Sequence, residues 1–80
     1  MKIGIKVMPR DVILDSQGRA VEQSMVSNGF RSLTSCRVGK FIELEIAADD
    51  QPAAQAEAER MLKEGGLYNP LIEKYEIVLN

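Results

Sequence analysis

Histidine is absent from these 80 residues, and cysteine occurs once, at Cys36. Without imidazole there is no histidine general base, and with one thiol there is neither an intramolecular disulfide nor a zinc cluster. Most hydrolase mechanisms are excluded together. No apolar run reaches the roughly 7–15 residues of a signal h-region or the roughly 20 of a membrane span, so the expectation is a soluble, cytoplasmic chain with no membrane partner.

The apolar share of 45% is ordinary for a globular protein, and the length suits one domain over 1–80 rather than two. A chain this short buries only about 60% of its unfolded surface, so self-association is a natural supplement to its stability. The net charge of −2 gives no reason to expect nucleic acid, but it is unevenly divided. Residues 1–40 hold seven basic and three acidic groups; residues 41–80 hold three and nine. Such asymmetry either docks a partner or is cancelled when strands from the two halves lie side by side.

In KIGIKVM, Ile3, Ile5 and Val7 alternate with Lys2, Gly4 and Lys6, which predicts a strand over 2–8 with one buried face. Pro9 ends it. After an irregular crossing, Asp15 is placed to cap a helix over about 16–28, with Ala20, Val21 and Met25 on its inner face and Asn28-Gly29 as its exit. The stretch LTSCRVGKFIELEIAA contains two extended runs around Gly39-Lys40, a Gly-X pair suited to a type II′ hairpin turn. That turn pairs Val38 with Phe41, Cys36 with Glu43 and Thr34 with Glu45, and sends Leu33, Ile42, Leu44 and Ile46 to the core. Arg37 then falls opposite Ile42, and either snorkels out at the sheet end or is relieved by a bulge.

A second helix is predicted over about 51–64, from the capping aspartates and Pro52 to Gly65-Gly66, with Ala54, Ala58, Met61 and Leu62 toward the sheet. A turn at Asn69-Pro70 leads to a last strand near 73–79 with Tyr75, Ile77 and Leu79 inward. The order βαββαβ predicts an α+β, ferredoxin-like fold: a four-stranded antiparallel sheet of order 4-1-3-2 with both helices on one face.

The bare face of that sheet receives Lys2, Lys6, Met8, Cys36, Val38, Phe41, Glu43, Glu45, Glu76 and Val78. It reads either as a solvated ionic surface with cross-strand ion pairs or, through its apolar members, as a subunit contact. RNA-binding modules of this topology stack bases on aromatics of the central strands; strand one here has none and strand three carries two glutamates. Asp49/Asp50 are explained by capping, Glu43/Glu45 by strand alternation, and Cys36 as a small hydrophobe, so no catalytic constellation emerges. Gly18 in the first turn of a helix costs stability relative to alanine. Three readings stay open for it: plain turn-making, an anion site at the first-turn amides, or room for a neighbouring protein with Gln17 and Arg19 alongside.

Three stretches together, ILDSQGRAV, RVGKFIELEI and NPLIEKYEI, resemble the PurS family, the small subunit of bacterial phosphoribosylformylglycinamidine synthase. The resemblance extends over essentially the whole chain. It departs at Ser16, where the family usually has proline, and at Gly65-Gly66, in place of a leucine-rich helix end. It implies a non-catalytic scaffold subunit of a glutamine-dependent C–N ligase, bridging a glutaminase subunit and a large synthetase subunit and assisting ammonia transfer between them. It implies no catalytic, cofactor or metal residues in this chain, ATP and Mg being held by the synthetase partner, and a dimer or tetramer of the chain itself. By position the motifs fall on Leu14, Asp15, Gln17 and Gly18, on Arg37, Val38, Gly39 and Lys40, and on Asn69, Pro70, Ile72 and Glu73. Expected assembly contacts are Leu14, Asp15, Gln17, Gly18, Arg19, Arg37, Gly39, Lys40, Phe41, Asn69 and Pro70. Two rival classes are a small-molecule-sensing regulatory domain of the same topology and a stand-alone enzyme using carboxylates.

Overall fold

Alternation in the first strand decides where the core lies. β1 (Lys2–Pro9) turns Ile3, Ile5 and Val7 to one face, where each is almost completely buried. β2 (Lys40–Glu45) runs antiparallel beside it, pairing Ile3 with Leu44 and Ile5 with Ile42. β3 (Glu73–Leu79) flanks the other side, pairing Ile5 with Ile77 and Val7 with Tyr75. The first of the three strands in chain order is thus the middle of a sheet of order β2-β1-β3. The computed structural model describes residues 1–79, and the expected inward direction of the Leu79 side chain falls outside what it describes.

Two helices accompany the sheet, α1 (Ser16–Ser27) and α2 (Gln51–Lys63), close to the spans the caps and glycines predict. Asp50 accepts from the Ala53 amide at 2.9 Å to start α2. Its buried side chains are Ala54, Ala58 and Leu62. Two of the three are alanines, which lets the helix axis approach β1 closely. Half-buried Ile42, Leu44, Met61, Tyr75 and Ile77 surround this centre, and Tyr75 meets Tyr68 edge-on at 5.0 Å between ring centroids. α1 ends as the Asn28-Gly29 pair predicts: Gly29, at φ +98°, donates to the Val26 carbonyl while Phe30 donates to that of Met25.

Among the described residues of one chain the sheet has three strands, not the expected four. Residues 33–39 run without turn or bend and join no ladder. A type II′ turn needs positive φ at its first central residue, whereas Gly29 and Gly66 are the glycines with positive φ and Gly39 is not. Instead Gly39 continues the line of β2 against the end of β1, where a β-carbon would run into the Val7 carbonyl and the Met8 sulfur. β2 keeps its expected neighbour β1, pairing Phe41 with Lys6, Glu43 with Gly4 and Glu45 with Lys2, and only the expected pairing of its other edge with residues 34–38 is missing. Arg37 is not opposite Ile42 but clasps the turn after β1.

The packing expected of α1 is also revised. Gly18 is its one buried residue, Ala20 and Val21 are exposed, and Met25 is half-buried. The chain extends over 50 × 25 × 13 Å with a radius of gyration of 15.9 Å. A compact chain of this length has a radius near 12 Å.

Leu62→Ala should lower unfolding free energy by about 2–5 kcal/mol in denaturant titrations, because it opens a cavity at the helix–sheet centre. Val12→Ala, at a side chain that is 91% exposed, should stay within about 0.5 kcal/mol of the parent.

Candidate functional site

Pro9 stops the ladder at one end of the sheet, and three distant parts of the chain meet there. Arg10 donates its backbone amide to the Ile72 carbonyl at 2.9 Å and its Nε to the Pro70 carbonyl at 2.8 Å, tying the turn after β1 to the Asn69-Pro70 turn. Asp11 pairs with Lys74 at 3.1 Å, a hydrogen bond that holds its carboxyl below the ordinary value. Arg37 reaches back to the same turn, donating to the carbonyls of Pro9 at 2.9 Å and Arg10 at 2.7 Å.

Asp15 joins the remaining parts. One carboxylate oxygen accepts from the Gly18 amide at 2.9 Å, the N-cap bond the sequence predicts. The other accepts from the Val38 amide, 23 residues away, at 2.8 Å. Arg37 Nε stands 3.8 Å from that oxygen. The Gly18 bond, then the Val38 bond, then the charge of Arg37 push the Asp15 pKa down, because each favours the ionised carboxylate. This position explains Gly18. A β-carbon there would lie 2.5 Å from the Cys36 carbonyl oxygen and 2.5 Å from the Asp15 carboxylate, so the space left by glycine is filled by its own chain.

A shallow recess of about 370 Å³ collects Leu14, Asp15, Gln17, Val38, Gly39, Lys40 and Ile72 from the three motif stretches. A neighbouring one holds Arg19 and Arg37. Asn69 and Pro70 form the adjoining turn, in which the Asn69 side chain accepts from the Leu71 amide at 3.0 Å and the Glu73 carboxylate accepts from the Asn69 amide at 2.7 Å. Phe41 lies elsewhere, on the open face, with its ring over Gly4. On that face Lys2 meets Glu43 at 3.4 Å and Lys6 meets Glu76 at 3.3 Å, so strands from the two halves of the chain do cancel their charges.

Residues that the sequence did not single out for this end are Arg10, Asp11, Val12 and Leu71. Val12 is 91% exposed and Leu71 82%, and Leu14 and Ile72 are exposed as well. The available signal was three apolar residues, Val12 to Leu14, in an irregular crossing that half-buries only Ile13. Among the described residues no group of three His, Cys, Asp or Glu side chains is placed to hold a metal ion, and no helix is long and apolar enough to cross a membrane.

The arrangement defines a small α+β contact protein whose distinctive residues organise backbone at a surface. Over residues 2–80 it matches the family model PurS, described as phosphoribosylformylglycinamidine (FGAM) synthase, and the chain belongs to that family. The PurS subunit of this synthase from Synechocystis is 34% identical over 71 residues, covering 89% of this chain and 70% of that one. In the PurLQS structure from Thermotoga maritima, a chain of 28% identity superposes with a TM-score of 0.86, covering 96% of this chain and 93% of that one. PurS from Methanocaldococcus jannaschii gives a TM-score of 0.85 at 26% identity, covering 96% and 92%.

Because the folded pKa of Asp15 lies below its ordinary value of 3.8, its stabilisation is complete above that value and is lost as pH falls through the lower folded pKa. Melting temperature should therefore decline on acidification below about pH 4, and Asp15→Asn should flatten that part of the decline in a pH series of thermal melts. Gly18→Leu should destabilise the isolated protein by about 1–3 kcal/mol through overpacking against Cys36. Unchanged melting of that variant would refute the close approach.

Proposed function

We propose that this chain is the small, non-catalytic subunit of phosphoribosylformylglycinamidine synthase, which in purine biosynthesis uses glutamine and ATP to convert formylglycinamide ribonucleotide to formylglycinamidine ribonucleotide. It associates with itself and bridges the glutaminase and synthetase subunits, assisting the passage of ammonia between them in the cytoplasm. ATP and Mg belong to the synthetase partner. Membership of the family supports the assignment, and a relative in a PurLQS structure supports assembly with larger companions.

The observation that carries the scaffold reading is the convergence of the three motif stretches on one end of the sheet, where Leu14 and Ile72 line one recess and stay exposed, as do Val12 and Leu71 of the same stretches. A lone soluble protein has no use for such a grouping of large apolar side chains, whereas a subunit interface does. The fourth strand of the sheet is left to the assembled state, because among the described residues the outer edge of β2 and the run 33–38 join no ladder.

The test is reconstitution with the two larger subunits. The parent chain should co-elute with them and restore glutamine-dependent synthesis, while Val12→Asp with Leu71→Asp should weaken co-elution tenfold or more and leave the melting temperature of the small subunit unchanged. Full glutamine-dependent activity of the two larger proteins without this chain would overturn the assignment.

A further inference from the structure

Helix α1 ends through Asn28-Gly29, and both residues are exposed. The Asn28 amide donates to the carbonyls of Ser24 and Met25, the Gly29 amide to that of Val26 at 3.0 Å, and the Phe30 amide to that of Met25 at 3.0 Å. These bonds hold Asn28 at ψ 7° and Gly29 at φ +98°, a left-handed exit that glycine adopts without strain. The same glycine leaves the pair chemically fragile. With no side chain on residue 29, nothing shields its backbone nitrogen from the side-chain carbonyl carbon of the asparagine before it. The surroundings are open as well, since a β-carbon built on Gly29 would meet nothing within 4 Å.

From this geometry we infer that Asn28-Gly29 is a self-modifying site, where the asparagine converts to aspartate and isoaspartate with water as the co-reactant. The Gly29 nitrogen attacks Asn28 Cγ. The new N–C bond closes a cyclic imide as the bond from Cγ to its amide nitrogen breaks, and the Gly29 amide proton leaves with that group as ammonia. Water then opens the ring, its hydroxyl adding to one ring carbonyl and its proton going to the ring nitrogen. Breaking at Cγ gives aspartate, and breaking at the backbone carbonyl gives isoaspartate.

The folded exit holds the reaction back. At ψ 7° the Gly29 nitrogen lies on the side of the Asn28 nitrogen and away from its β-carbon, so ring closure needs a rotation that releases the bonds to Val26 and Met25. An exposed last turn opens locally at small cost compared with the core. Similar pairs elsewhere lack the combination. Asn69 precedes Pro70, whose nitrogen has no proton to lose, and its side chain is occupied by the Leu71 amide. Gln17 precedes Gly18, but that amide donates to the Asp15 carboxylate and the glycine is buried.

Conversion changes what the exit does. α1 has no basic residue in its last turn, so a new carboxylate at position 28 sits uncompensated at the negative end of the helix dipole. Isoaspartate also lengthens the main chain by one carbon, which takes the Gly29 and Phe30 donors out of register with the Val26 and Met25 carbonyls. The product is a more acidic chain with a frayed α1.

The full chain, kept in warm, mildly alkaline buffer, tests this through peptide mapping and the ammonia released. Acidic charge forms and ammonia should rise in equal amounts, with isoaspartate at position 28, and both should be lost in Asn28→Ser. Urea should speed the conversion by undoing the exit. The acidic form, separated by ion exchange, should melt below the parent. Aspartate at position 28 without isoaspartate would overturn the ring route. Conversion confined to the urea-unfolded chain, or falling first on Asn69 or Gln17, would overturn the site, and equal melting of the two forms would overturn the loss of the cap.

Discussion

The bond from the Val38 amide to the Asp15 carboxylate is the constraint on which the shape of this protein depends. A hairpin over 33–46 would draw Val38 back alongside β2. Asp15 holds it at the start of α1 instead, 2.8 Å from a carboxylate oxygen whose partner oxygen is already committed to the helix N-terminus. A carboxylate with both oxygens engaged by backbone donors is strongly oriented. Helix start and strand path are consequently one structural unit. Arg37 extends that unit to the turn after β1, and Arg10 extends it to the turn before β3.

Most local structure was legible in the sequence because it is set by short-range rules. Alternation in KIGIKV assigned the core face of β1; Asp15, Asp50, Pro52 and the glycine pairs bounded both helices to within a residue or two. Ala54, Ala58 and Leu62 were readable as the buried stripe of α2. The failure came at Gly39-Lys40, where a Gly-X dipeptide between two strand-like runs satisfies the local rule for a tight turn and yet continues straight. Turn propensity is worth little beside a close backbone approach to Val7 and a capping side chain 23 residues away. Neither can be seen in a window of a few residues.

The surface end of the sheet was half legible for the same reason. Leu14, Asp15, Gln17, Gly39, Lys40, Asn69 and Pro70 were marked through their motif stretches, and the fold does bring them to one end. Their roles divide in a way that spacing alone does not show. Asp15, Gly18 and Arg37 act inward, fixing the chain's own backbone, while Leu14 and its unmarked neighbours Val12 and Leu71 face outward. Charge was easier to anticipate. The basic first half and acidic second half meet strand against strand, and the resulting exposed ion pairs set register more than they add stability.

The central place of β1 has a consequence for how the protein is made. β1 precedes β2, α2 and β3 in the chain, so both its edges are paired and its apolar face is covered only when all three later elements have been made. During synthesis Ile3, Ile5 and Val7 therefore remain without their full native cover until β3 has been added, and folding has to join strands that are far apart in sequence.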